Sequence, residues 1–198
     1  MSEIEKKLFA PTGALSDTAL NWYGRPIEKF DIYAQAFHLA AKKLAKGLSE
    51  EELRDIYACP VVYLYRHALE LWLKKILFTG SIILRLEGQD AESVREILNQ
   101  KHNLQTLWRK IYFLFKKVGW DWDTELKNYE KFIHDFSEAD TKSFSFRYPV
   151  TLDEGSSLPM NFSFDLRSFC THMDKFLERL DQIDCGLAGE LDQMSEGE

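Results

Sequence analysis

Cysteine is scarce in this sequence: only Cys59, Cys170 and Cys185 occur, and no two of them have the C-x-x-C spacing. Three cysteines without paired spacing argue against a disulfide framework and against a structural zinc site. The histidine motifs H-E-x-x-H and H-x-x-E-H are missing as well, so we expect no metal ion and no other cofactor. Reduced thiols are typical of a cytoplasmic protein, and we predict that location.

Long apolar runs and the usual nucleotide-binding loops are also lacking. No apolar run reaches the eighteen or so residues that a membrane span needs, and the longest, near Ile82, is interrupted by Arg85. The first residues, MSEIEKKLFAP, include charged side chains and no apolar core, so a signal peptide is not expected. Neither G-x-x-x-x-G-K nor G-x-G-x-x-G occurs. We therefore predict no association with a membrane and no phosphate loop of those two types.

Positive charge is in short supply too, since 25 lysines and arginines face 32 aspartates and glutamates and the formal net charge is −7. A protein that coats nucleic acid through bulk positive charge is therefore not expected. A local basic groove stays open as an alternative, because seven basic residues fall close together along the chain: Lys74, Lys75, Lys101, Arg109, Lys110, Lys116 and Lys117.

The sequence does contain apolar positions that recur at helical spacing over most of its 198 residues. This pattern predicts an all-α fold, an up-and-down bundle of four to five main helices with a small extended or hairpin insertion before the last helix. We predict an N-terminal arm over residues 1–29, the helical bundle over 30–183 and an acidic flexible tail over 184–198.

Glycine, proline and aspartate suggest where individual elements begin and end. Pro60 suits the first turn of a long helix that Gly80 would terminate, and Asp90 would cap a short helix that follows. The stretch KSFSFRYPVTL alternates apolar and polar residues and contains Pro149, which predicts an edge strand or an extended loop, with MNFSF as a returning strand.

The stretch YLYRHALELWLKKIL, residues 63–77, places four polar side chains in an otherwise apolar helix. On a helical wheel Arg66, His67, Glu70 and Lys74 share one stripe. We favour a ladder of i,i+4 ion pairs on a solvated face, which is the commonest role of such stripes. The alternative is a polar groove beside a dimer seam, in which Arg66 and His67 bind an anionic ligand.

Three motifs in this order resemble the HEPN superfamily of helical-bundle proteins. They are R-x-x-L-E-x-x-L-K at Arg66–Lys74, a helix start at His102-Asn103-Leu104, and Arg147-Tyr148-Pro149 before the last helix. The resemblance covers roughly residues 30–183. It implies a homodimer formed through helix faces, and a role beside an antitoxin or another defence-system partner protein.

The resemblance also implies a metal-independent endoribonuclease chemistry in the active members, built on an R-x4–6-H motif. Arg167 and His172 satisfy that spacing, with Ser168 where active members commonly have Asn, Asp or His. Histidine would act as acid or base at the ribose hydroxyl and arginine as a fixed cation at the phosphate. On a regular helix the two side chains stand about 140° apart, which places them on different faces.

Two further elements have a structural and a functional interpretation. His102 is either a capping or solvent-facing residue at a helix start or a ligand residue. Arg147 either pairs with a carboxylate, while Phe144, Phe146 and Tyr148 cover the open end of the bundle, or lies at the groove mouth near Arg66 as an anion site. We favour the structural interpretation of both: polar residues often start helices, and aromatic residues on extended segments usually cover core.

The sequence therefore predicts a HEPN-like dimeric helical module that binds a partner protein, RNA or a nucleotide-type ligand, without evident catalysis. The alternative is a metal-independent endoribonuclease that uses Arg167 and His172. The candidate ligand-binding residues are Arg66, His67, Glu70, Lys74, His102, Arg147 and Tyr148.

Overall fold

The structure is a computed structural model, and it describes residues 29–47, 49, 51, 56–99, 102–140 and 143–196. Helices form nearly all of the regular structure in these ranges, which contain no sheet, so the predicted all-α bundle is confirmed. None of the helices within the described ranges is long and apolar enough to span a membrane. The described ranges hold six helices with both ends in view: α1 (Phe30–Lys46), α2 (Ala58–Leu86), α3 (Val94–Leu98), α4 (Leu104–Val118), α5 (Thr124–Ala139) and α6 (Leu166–Glu196).

Helix α2 is the central element of the bundle and packs against α1, α4 and α6. Its apolar residues are buried almost continuously from Val61 to Leu84. The predicted end at Gly80 is wrong, because the helix runs on to Leu86. Gly80 serves packing instead: a Cβ atom there would lie only 2.3 Å from a methyl carbon of Leu114 on α4. The missing side chain is what allows the two helices to approach this closely.

Most other helix boundaries lie close to the capping residues in the sequence. Asn103 and Asp123 cap α4 and α5 by accepting a backbone N–H of the first turn. Gly119 ends α4 with φ 75°, the left-handed conformation that glycine adopts without strain. The expected cap at Asp90 is wrong, because α3 starts after Ser93, which forms a reciprocal capping box.

The segment between α5 and α6 is an extended loop, the second of the two forms that the sequence left open. Over residues 143–165 the backbone makes turns and one isolated antiparallel bridge between Val150 and Ser156, so the alternative hairpin does not form. Pro149 has no N–H to donate, which limits any ladder at this point. Only Phe146 of the loop's aromatic residues is fully buried.

The predicted flexible tail is helical as far as the structure describes it, since α6 continues to Glu196. Two contacts explain the continuation past Ile183. Leu187 is completely buried, and the buried carboxylate of Asp184 accepts a hydrogen bond of 2.9 Å from Thr79 on α2. The predicted arm over residues 1–29 lies outside the described residues, apart from Lys29.

Candidate functional site

The polar stripe of α2 is buried, so the expected solvated face is wrong. Arg66 is 0% exposed, Glu70 1% and Lys74 6%. Arg66 Nη1 lies 3.1 Å from Glu70 Oε2, and Lys74 Nζ lies 2.7 Å from Glu70 Oε1. The i,i+4 ion pairs are therefore present as predicted, but in the interior, where an unpaired charge would be costly.

A second carboxylate completes the charge balance around Arg66. Asp140 follows α5, is 2% exposed, and places its Oδ2 2.9 Å from Arg66 Nε. This contact is an ion pair, because its alignment is not that of a hydrogen bond. The other oxygen, Oδ1, accepts the backbone N–H groups of Phe144 and Ser145 at 2.6 and 2.9 Å. Asp140 thereby fastens the start of the loop to α2.

His102 closes the cluster at the surface. Its backbone is left-handed, with φ 61°, and its carbonyl oxygen accepts a 2.7 Å hydrogen bond from Arg66 Nη2. Its Nδ1 lies 2.7 Å from Glu70 Oε1, while 55% of the side chain is exposed. Because an ionised carboxylate only accepts, Nδ1 is the donor, and Nε2 is the ring nitrogen left for a ligand. We call Arg66, Glu70, Lys74, His102 and Asp140 the Arg66 network.

The charges of the network determine the protonation state of Glu70. Burial alone would raise its pKa, but the hydrogen-bonded ammonium group of Lys74, together with His102 and Arg66, outweighs burial and lowers the pKa below its ordinary value. Glu70 is therefore a carboxylate at neutral pH. Because Arg66 is fully enclosed by these partners, it does not offer its guanidinium group to a ligand, contrary to the predicted anion site.

His67 lies beside the network in an aromatic environment. Its ring meets that of Phe37 edge-on at 4.4 Å and stacks on Tyr63 at 6.0 Å. Burial, with the nearby cations of Lys74 and Arg66, lowers the pKa of His67 against the opposing effect of Glu70. His67 is therefore neutral at physiological pH and does not supply the positive charge that an anion site would need.

Arg147 and Tyr148 lie at the surface next to this aromatic group. The Arg147 guanidinium carbon is 5.7 Å from the centre of the Tyr63 ring and 5.8 Å from that of Tyr148, and its Nε donates to the carbonyl oxygen of Ser143. The carboxylate of Asp140 pairs with Arg66 instead. Both Arg147 and Tyr148 are exposed. Of the three aromatic residues predicted to cover the bundle, Phe146 is buried, Phe144 is half-buried and Tyr148 is not buried.

A groove of about 610 Å³ lies between α4 and α5. It begins at Asn103, next to the Arg66 network. Arg109 and Lys127 contribute two positive charges to its lining, Glu130 contributes one negative charge, and His134 adds an imidazole ring. The lining is therefore net positive in a protein whose overall charge is −7.

Aromatic rings form the floor of the same groove. Trp122 packs edge-on against Trp108 at 5.0 Å and against Tyr112 at 5.2 Å. The indole N–H of Trp108 is buried and has no hydrogen-bond partner among the described residues. An unsatisfied buried donor costs roughly 1–3 kcal/mol. Cations and aromatic faces thus occur together around one cavity.

The seven basic residues that are close together in the sequence lie at several separate places in the structure. Arg109 lines the groove, and Lys101 lies outside the described residues. Lys116 does not line the groove, but its ammonium group lies over the ring of Tyr112, which does. The other four contact groups elsewhere: Lys74 with Glu70, Lys75 with Asp184, Lys110 with Glu92, and Lys117 with the Asp90 carbonyl oxygen.

Sequence reasoning missed the contribution of α5 to the groove. Lys127 and His134 are seven residues apart, which places them on one face of a helix, and Arg109 and Tyr112 have the i,i+3 relation on α4. The spacing was therefore visible in the sequence. That these two faces border the same cavity depends on tertiary packing.

The predicted catalytic pair is not brought together within one chain. Arg167 and His172 both lie in regular helix near the start of α6, so about 140° separates them around the helix axis. Both side chains are exposed, and His172 Nδ1 lies 2.7 Å from the carbonyl oxygen of Ser168 in its own helix. Arg167 borders a separate cavity whose lining does not include His172.

No group of three or more potential metal ligands occurs among the residues that the structure describes. Comparisons of the chain with protein-family models, with curated proteins and with solved structures found no significant match. The established assignment is therefore the all-α helical bundle.

Proposed function

We propose that this chain is a HEPN-like helical module that binds single-stranded RNA in the groove between α4 and α5. The observation that supports the proposal is the joint presence of Arg109, Lys127 and His134 with the rings of Tyr112 and Trp122 around one cavity. The HEPN-like assignment rests on the resemblance of the three sequence motifs. Residues of these motifs lie near one another: Arg66 and Glu70 of the first motif contact His102 of the second, and Arg147 of the third packs over the ring of Tyr63 on α2.

The chemistry of the groove matches the two requirements of single-strand binding. Phosphate groups are held by cations, and arginine offers a planar fork of donors that fits two phosphate oxygens at once. Bases are held by stacking on aromatic faces, which is tolerant of sequence. With only two fixed cations, the affinity is modest and depends on salt.

Fluorescence anisotropy of a labelled oligouridine tests this proposal. Arg109→Ala and Lys127→Ala should each weaken binding by about five- to tenfold, the effect of about 1 kcal/mol that the loss of a phosphate contact produces. Lys131→Ala is the matched control, since Lys131 is exposed on α5 but does not line the groove. Equal affinity of all four proteins, or no binding by the folded chain, would overturn the proposal.

Association with a second copy is part of the proposal, as the HEPN resemblance implies. Large apolar side chains of the loop before α6 support it, because Leu152 is 94% and Met160 90% exposed. Light scattering during gel filtration should give a dimer for the wild type and a shift towards monomer for the Leu152→Asp, Met160→Asp double variant. A monomeric wild type at high protein concentration would refute a homodimer. An antitoxin or other defence-system protein stays a proposed partner on the resemblance alone.

The endoribonuclease alternative makes a separate prediction. Because Arg167 and His172 lie on different faces of α6, their joint action requires that one residue of each pair comes from a second chain. Cleavage of RNA in the presence of a chelator, lost in His172→Ala while oligouridine binding is retained, would establish that activity. Intact RNA after prolonged incubation with the folded wild type would contradict the endoribonuclease alternative and leave the RNA-binding module as the proposed function.

A further inference from the structure

A cavity of about 180 Å³ lies between α5, the start of α6 and the loop that joins these two helices. Its lining is apolar apart from one aspartate, and most of the apolar residues are phenylalanines. We call the six phenylalanines the phenylalanine cage: Phe132 and Phe136 on α5, Phe146, Phe162 and Phe164 in the loop, and Phe169 on α6. None of the residues around the cavity lines the α4–α5 groove, so the two sites share no side chain.

The six rings of the cage contact one another in a closed circuit. Each ring centre lies 5.6 to 6.3 Å from the next, from Phe132 through Phe136 and the three loop residues to Phe169 and back to Phe132. These are the distances of favourable aromatic pairs, which stabilise the walls of the cavity. The mouth lies on the side of the loop, because 38% of Phe162 and 43% of Phe164 are exposed there. A ligand can therefore reach the cage from solvent.

The charged residue in the lining is Asp135. Phe132, Asp135, Phe136 and Ala139 have the i, i+3, i+4, i+7 spacing, so they share one face of α5. The Asp135 side chain is 65% exposed, and its ion-pair partner within the described ranges, when protonated, is His134. His134 Nδ1 lies 3.6 Å from Asp135 Oδ1, which is beyond hydrogen-bond distance. The carboxylate of Asp135 is therefore open to a ligand.

The basic residues nearest in the chain do not compensate this carboxylate. Lys131, one turn before Asp135 on α5, is exposed and does not line the cavity. Arg66, one turn beyond Val62 in the lining, is paired with Glu70 and Asp140. The cavity therefore combines apolar walls with one negative charge and no cation.

We propose that the phenylalanine cage binds a small aromatic amine, with its aromatic ring among the six phenylalanine rings and its ammonium group beside the carboxylate of Asp135. An apolar cavity of about 150 Å³ is large enough to hold benzene, so the volume here admits one aromatic ring. The faces of aromatic rings also attract a cation. Both the walls and the carboxylate thus favour an amine over a neutral or an acidic compound of the same shape. The site does not depend on the proposed RNA groove.

Titration of the isotope-labelled full chain with benzylamine, followed by amide chemical shifts, tests the proposal. Saturable shifts are expected for residues 132–139 and 162–169. Ala139→Leu places a larger side chain in the cavity wall and should weaken binding about tenfold or more. Ala36→Leu is the matched control, because Ala36 is exposed on α1 and does not line the cavity. Phe164→Ala is a second variant, at a partly exposed position, and should weaken binding about fivefold.

Three ligands with the same ring separate the effect of charge from that of shape. Benzylamine should bind more tightly than benzyl alcohol, and benzyl alcohol more tightly than benzoate. Asp135→Asn should weaken benzylamine binding about threefold, because an exposed ion pair is lost, and leave benzyl alcohol binding unchanged. Glu138→Gln is the matched control, since Glu138 is exposed on α5 and does not line the cavity. Equal affinity of the wild type for benzylamine and benzyl alcohol would overturn the amine site.

The location of the bound amine has its own controls. Lys127→Ala must bind benzylamine as the wild type does, since a loss there would assign the ligand to the α4–α5 groove. Amide spectra without ligand report on the fold of each variant. No saturable shifts with the folded wild type, or full affinity in both Ala139→Leu and Phe164→Ala, would overturn the cage as a binding site. Each of these results leaves the RNA proposal untouched, because oligouridine binding is measured separately.

Discussion

At the scale of single residues, the Arg66 network is the feature that the sequence indicated least clearly. The i,i+4 spacing of Arg66, Glu70 and Lys74 is the same for a solvated ladder and for a buried cluster. What decides between them is Asp140, which belongs to another segment and places a carboxylate beside Arg66 in the interior. The ion pairs could therefore be predicted from local spacing, but their burial could not.

The first prediction concerns the cost of removing one charge from the network. Arg66→Met leaves Glu70 and Asp140 buried without their shared cation, and we expect a loss of about 3–5 kcal/mol in the free energy of unfolding. Urea unfolding followed by circular dichroism measures it. Arg109→Met, at an exposed position, should change the free energy by less than about 0.5 kcal/mol. Equal stability of the two variants would show that Arg66 is not an interior ion pair.

The second prediction concerns the pH dependence of stability. Folded Glu70 has a pKa below its ordinary value of 4.5, so the unfolded chain binds this proton more readily. The stabilisation by the carboxylate is therefore present above pH 4.5 and is lost as the pH falls through the folded-state value. The difference in unfolding free energy between wild type and Glu70→Gln should be largest at neutral pH and shrink in acid. A difference that does not vary with pH would contradict the assignment.

At the scale of elements, most of the helices could be predicted from the sequence, but only some of the residues at which they begin and end could be predicted. Gly119 and Asp123 mark boundaries because turn conformation and side-chain capping are local properties. Gly80 was misinterpreted because a glycine that ends a helix and a glycine that admits a neighbouring side chain look alike in a single sequence. The continuation of α6 past Ile183 likewise depends on Leu187 and Asp184, which are buried by other helices.

The third prediction separates these two roles of glycine. Gly80→Ala places a methyl group against Leu114 and should destabilise the protein by about 1–3 kcal/mol, as overpacking does. Gly189→Ala is the control within α6, where an added Cβ meets nothing within 4 Å. Because alanine favours helix over glycine, Gly189→Ala should stabilise by up to about 1 kcal/mol. Thermal unfolding that moves in the same direction for both variants would contradict the close approach of α2 and α4.

At the scale of the whole molecule, a net charge of −7 coexists with a local excess of positive charge in the groove between α4 and α5. The net charge argues against a protein that coats nucleic acid, but it does not tell where on the molecule the positively charged side chains lie. Arg109 belongs to a group of basic residues that are close together in the sequence. Lys127 and His134 are close to Arg109 only in the folded chain, because α4 and α5 pack side by side. Sites formed between helices are for this reason the least predictable part of the molecule.

The fourth prediction is a salt dependence that matches the few cations of the groove. Two phosphate contacts on a single strand give a logarithmic slope of about −1.4, so a fourfold increase in salt should weaken oligouridine binding about sevenfold. Lys127→Ala should reduce the slope by about half, because one contact is lost. A much steeper dependence would indicate a larger basic surface than this groove provides.

Photo-crosslinking of oligouridine that contains 4-thiouridine tests the central claim most directly, because it reports where RNA lies on the folded chain. We predict that the cross-linked peptides come from α4, α5 and the turn between them, with Tyr112 or Trp122 as the modified residue. The Arg109→Ala, Lys127→Ala double variant should lose these products. Cross-links confined to the first turn of α6, around Arg167, would contradict the α4–α5 groove as the binding site.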